Sequence, residues 1–273
     1  MTQLDNCAMS FFVAFSTPCL LKIVDDKMAQ SSSLIMNNVR ASAKQAHDEE
    51  SLMQIMKKDF LVKSMVPNGD CGYELMCMWE RILHLRRQGN PITKSVIEES
   101  VHPQQILLMR NAIAKMQEQA ISKGNWKLQN LIAQSMFDWS RSPMENNRRN
   151  EEVAAAVQSL PAGVKEMDWL SSKPALELHS SLIRNGLHEV FAESPEMEAF
   201  SLMVQPPLAI YLPGSCKVYP SSTQCGPNEE YLVGICNGNH FFLAVPKKWI
   251  GDYKGMPLIP SIFFFYIGFF EIA

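Results

Sequence analysis

Helical patterning early in the chain and short β-rich runs late predict an α+β fold, a small central β-sheet flanked by many helices. Three observations carry this. From Tyr73 to Leu160 apolar residues recur mostly at helical spacing. From Met203 the pattern changes to short β runs: 207–212, 216–219 and a hairpin over 231–246. Helices and strands are segregated and do not alternate as βαβ units would.

The first forty residues are the hardest to place. Ala8 to Leu21 is apolar enough to resemble a signal-peptide core, but Asp5 stands where positive charge belongs and Pro18 interrupts the run, so a packed extension is expected. Ser31-Ser32-Ser33 marks a link. Asn38 to Met56 then shows a helical pattern with an acidic cluster at Asp48-Glu49-Glu50. The organisation expected is an extension over 1–44, a main domain over 45–250 and an apolar tail over 251–273.

Within the main domain, turn-formers crowd the stretch Val66-Pro67-Asn68-Gly69-Asp70-Cys71-Gly72-Tyr73-Glu74, and an amphipathic run follows from Tyr73 to about Arg87. Ser95 to Ser122 is helical in spacing, with Pro103 expected to divide or kink it. Trp126 to Trp139 and Glu151 to Leu160 continue the theme. Gly124, Pro143 and Pro161-Ala162-Gly163 punctuate it. At the far end, β-rich runs flank Asn237-Gly238, the strongest short-range hairpin signal. In the tail, Leu258 to Phe270 is almost wholly apolar, but Pro260 and Gly268 interrupt a run too short to span a bilayer. Packing on the domain is expected, ahead of a membrane-associating tail.

Composition narrows the function classes. The chain has 273 residues, 47% hydrophobic and 19% charged, enough apolar material for a substantial core. Net charge is −3, and the dibasic pairs at 57–58, 86–87, 148–149 and 247–248 are scattered, which argues against a nucleic-acid partner. Seven cysteines without a CxxC pair point to free thiols in a reducing, cytoplasmic setting. Cys216, Cys225 and Cys236 are irregularly spaced and lack paired histidines, so no zinc site is expected. His179 and His188 read as surface or satisfied histidines, and the 17 methionines as adaptable core packing.

Chemistry concentrates at two places. Cys71 falls at a loop-to-helix junction, where unpaired N–H groups and the positive end of the helix dipole favour a thiolate and can hold an oxyanion. The alternative reading is an ordinary turn beside a small buried cysteine. His240 opens the second hairpin strand, a rim position from which an imidazole can serve as the base of a cysteine nucleophile.

The motifs Asn68-Gly69-Asp70-Cys71-Gly72-Tyr73 and Asn239-His240-Phe241, in that order and about 170 positions apart, resemble those of the ovarian-tumour (OTU) family of cysteine deubiquitinases. The resemblance spans roughly residues 45–250, although only these two motifs are specific. It implies an OTU-like, papain-like cysteine protease fold with the cysteine on a helix and the histidine on the sheet. It further implies Cys71 as nucleophile, His240 as base, an oxyanion loop at Gly69 and Asp70, and substrate contacts from Asn239 and Phe241. The implied reaction is hydrolysis of the isopeptide bond between a ubiquitin C-terminal glycine and a lysine, with ubiquitin or polyubiquitin chains as partners and neither metal nor cofactor. A hydrolase of another ubiquitin-like modifier or peptide, or an inactive ubiquitin-binding module, are the alternatives. Two positions depart from the family pattern: Asn68 replaces the usual Asp, and Phe242 stands where many members carry Asp or Asn. Because asparagine can hold an imidazole tautomer, Asn68 is the expected third member of the triad, with Asp70 behind it.

Overall fold

The computed structural model describes residues 39, 41–42, 46, 48–141, 148–186, 191–222, 230–238 and 240–251. The first 38 residues and the apolar run 258–270 lie outside them, as do Asn239, His188 and Cys225.

The chain is mixed α+β, with one five-stranded sheet and many helices. Helix α1 (Glu49–Asp59) begins where Asp48 accepts the Ser51 amide at 2.7 Å. The acidic cluster therefore heads this helix, and does not lie inside one running from Asn38. Glu49 and Glu50 in its first turn and Lys57 and Lys58 in its last complement the dipole. Strand β1 (Phe60–Ser64) follows at once, and a loop then leads to α2 (Cys71–Arg87).

Two short-range signals shape the helical region. Pro103 divides the 95–122 stretch into α3 (Lys94–Glu98) and α4 (Pro103–Ser122) by occupying the first turn of α4, where its missing N–H costs nothing. His102 and Gln105 complete a capping box there. Then come α5 (Trp126–Arg141), α6 (Arg148–Gln158), α7 (Glu166–Leu170), α8 (Lys173–Asn185) and α9 (Ser194–Met203). The rest of the sheet is β2 (Leu208–Leu212), β3 (Ser215–Tyr219), β4 (Leu232–Asn237) and β5 (His240–Pro246).

Spatial strand order is β1-β5-β4-β2-β3, antiparallel throughout except for the parallel β2–β4 pair. Alternation along β5 sends Phe241, Leu243 and Val245 into the larger core beneath α2, while Phe242 and Ala244 join a second core closed by Leu52 and Met56 of α1. The sheet is thus covered on both faces. Helix α2 is the centre of the larger layer: residues 71–79 are all buried, as expected of a helix enclosed on every side. No helix among the described residues is long and apolar enough to cross a membrane.

One sequence expectation fails here. His179 is fully buried, and neither ring nitrogen has a hydrogen-bond partner among the described residues. Its position explains this: Ala175, His179, Leu182 and Ile183 share the buried stripe of α8. The ring stacks on Trp139 at 5.2 Å, and Nε2 lies 3.6 Å from the Glu196 carboxylate.

Candidate active site

Cys71 is the first residue of α2 and only 3% exposed. The loop before it is built from its own side chains. Gly69 takes φ 88°, a left-handed conformation that disfavours a side chain, and Asn68 Oδ1 accepts the Asp70 amide at 3.0 Å. Glu74 closes the loop from the helix side by accepting the Val66 amide at 2.8 Å. Gly72 is required by close packing, since a Cβ there would lie 2.6 Å from Cβ of Ala192 and 3.3 Å from the Phe241 ring.

The backbone amides of Phe241, Gly72 and Cys71 itself hydrogen-bond the Cys71 sulfur. These bonds favour the thiolate, but burial outweighs them and pushes the thiol above its ordinary range, with the Glu74 charge adding to the rise. In this state Cys71 is a protonated thiol at neutral pH. Cys77, further along α2, is driven by burial up to about 12 and donates its S–H to the Gln105 carbonyl at 3.5 Å. Cys236 of β4 is raised by burial to about 11, with the Cys71 charge a smaller cause.

His240 is half-buried at the start of β5. Its Nε2 lies 2.9 Å from Oγ of Ser64, the last residue of β1, and its ring stands edge-on to Phe242 at 4.6 Å. Nδ1 is buried and has no hydrogen-bond partner among the described residues. Burial lowers the imidazole below its ordinary range, partly offset by Glu49 of α1. The ring therefore lies on the Phe242 side of the strand, whereas the thiol takes the amide of Phe241. Neither ring nitrogen is hydrogen-bonded to the thiol.

The other expected site residues fall as follows. Asn68 has its carbonyl oxygen engaged in its own turn, and neither ring nitrogen of His240 is hydrogen-bonded to it. Asp70 places its carboxylate 2.5 Å from Arg110 of α4 in a buried ion pair. Its amide is already taken by Asn68, which removes one of the loop donors expected to hold an oxyanion in this state. Phe241 contributes its backbone to the sulfur and its ring to the packing against Gly72. Asn239 lies outside the described residues. Ser64 carried no sequence signal: only the β1–β5 register, which pairs Ser64 with Phe242, sets it beside the histidine. Among the described residues, no three His, Cys, Asp or Glu side chains gather to hold a metal ion.

Comparison of the chain with family models, with curated proteins and with solved structures returns no match.

Proposed function

We propose that the chain is a cysteine-dependent deubiquitinase with an OTU-like, papain-like catalytic domain, Cys71 being its nucleophile and His240 its base. The observation that carries the reading is a thiol at a helix N-terminus that takes the backbone amide of Phe241, the residue next to His240, whose Nδ1 is unpartnered among the described residues. Ubiquitin as substrate rests on the resemblance of the two motifs alone. In this reaction Nδ1 of His240 takes the thiol proton of Cys71. The thiolate attacks the carbonyl carbon of the C-terminal glycine. Amides at the start of α2 hold the resulting oxyanion, a contribution of about 3 kcal/mol per donor in well-studied hydrolases. The imidazolium returns its proton to the leaving lysine amine as the C–N bond breaks, leaving a thioester. Water, deprotonated by the same nitrogen, then cleaves the thioester and restores the thiol.

A second reading, a ubiquitin-binding module without turnover, is favoured by one observation: neither ring nitrogen of His240 is hydrogen-bonded to the Cys71 thiol. A ubiquitin probe with a C-terminal electrophile separates the two. The expected result is an adduct on Cys71 that is lost in Cys71→Ala and in His240→Ala. Saturable binding with no adduct would establish the second reading, and an adduct formed only with another modifier's probe would replace ubiquitin as the substrate.

A further inference from the structure

We propose that Ser64 is the positioning residue that fixes the tautomer of His240, holding the ring proton on Nε2 and leaving the Nδ1 lone pair as the base. The proposal takes the base role of His240 from the reading above, but the proton placement itself stands on geometry alone.

Among the described residues the exposed Ser64 hydroxyl, which has one hydrogen, has two hydrogen-bonding neighbours, Nε2 of His240 at 2.9 Å and the carbonyl oxygen of Met65 at 3.2 Å. The Met65 oxygen can only accept, so a hydroxyl donating to it must itself accept from the ring, which puts the proton on Nε2. The reverse arrangement has the hydroxyl donate to Nε2 and moves the ring proton to Nδ1. That would leave a buried N–H with no acceptor among the described residues and would remove the donor from Met65 O. Orphaned buried donors are rarer than under-satisfied acceptors, so the first arrangement is favoured. The ring is also held in place: Phe242 stands edge-on to it, and Ser64 is fixed by the β1–β5 ladder, which the Met65 amide extends by bonding the Phe241 carbonyl at 3.2 Å. A hydroxyl thus occupies the place where a triad carboxylate or amide would stand. It can set the tautomer, but it brings no negative charge to stabilise an imidazolium.

The test uses the full chain with ¹⁵N-labelled histidine. Long-range ¹H–¹⁵N correlation spectra are recorded above the His240 titration, and the His240 signals are assigned by their loss in His240→Gln. The native protein should show the Nε2–H pattern. Ser64→Ala should shift His240 toward a tautomer mixture, and Ser64→Thr, which keeps the hydroxyl, should restore it. On substrate, Ser64→Ala should lower kcat on the order of 10-fold or more with KM unchanged. An Nδ1–H pattern in the native protein, or an unchanged tautomer in a folded Ser64→Ala, overturns the proposal. A tautomer that shifts in a protein inert toward the ubiquitin probe would sink the deubiquitinase reading and leave Ser64 in its role.

Discussion

Asp70 and Arg110 form a buried ion pair, 2.5 Å apart, that ties the residue before Cys71 to the middle of α4. The guanidinium also lies 4.0 Å from the Tyr73 ring centroid and reaches the Ile183 carbonyl at 3.4 Å. One charged group therefore joins the loop, α2, α4 and α8.

Removing one partner of such a pair strands the other charge in the core. Arg110→Ala should lower unfolding stability by roughly 3–5 kcal/mol, read by denaturant melts. The Asp70→Ala, Arg110→Ala double variant should lose less than the sum of the single variants. Additive losses would mean that the pair is not coupled.

Asn68→Ala removes the acceptor for the Asp70 amide and should cost about 1 kcal/mol, the usual value for a side chain closing a turn or cap. Turnover should stay within a few-fold of native, and the His240 tautomer should be unchanged. A kcat lowered by orders of magnitude with an unaltered melting temperature would return Asn68 to the triad.

The pH dependence of activity follows from His240. Burial lowers its pKa, so the base form persists below the ordinary 6.5 and the acid limb of kcat/KM should fall beneath that value. The same lowering means that stability from this group is fully present above pH 6.5 and is lost as pH falls through the folded value. Because the Cys71 thiol is raised, thiolate absorbance near neutral pH should be missing in the resting protein. An acid limb above 6.5, or a thiolate band at pH 7, would contradict this account.

Glu196 and His179 set a second pH signature, in stability. Burial raises Glu196 to about 7 and lowers His179 to about 3. Protonated Glu196 favours the fold at low pH, and that contribution is lost as pH rises from the unfolded value near 4.5 through 7. The unprotonated His179 has the opposite sign: its contribution is present above 6.5 and lost as pH falls toward 3. Between pH 4.5 and 6.5 the two slopes oppose each other. Glu196→Gln removes the falling limb, so its stability relative to native should rise with pH across that window. A constant difference between the two proteins would show that Glu196 does not titrate there.

How much of this was legible depended on how local the cause was. Pro103 splitting a helical stretch, the Asn237-Gly238 hairpin and the helix after Cys71 are each fixed by neighbouring residues, and the sequence reading found them. Strand β1 escaped notice because five residues, Phe60–Ser64, abut a helix and show no clean alternation of burial. What makes them a strand is pairing with β5. The neighbours of Asn68 and His240 were illegible for the same reason: nothing nearby in sequence shows that the Asn68 side chain closes its own loop and that a serine from another strand meets the imidazole. His179 was different, since its spacing from Ala175 and Ile183 put it on the buried stripe in plain view.

Ser64 and His240 are 176 positions apart, yet they meet in adjacent strands. During synthesis the helices that follow Cys71 leave the ribosome long before β5, and loops of that length close late. Until β5 docks, Cys71 lacks the Phe241 amide. The surroundings of Cys71 are therefore complete only once the last strand of the sheet is in place.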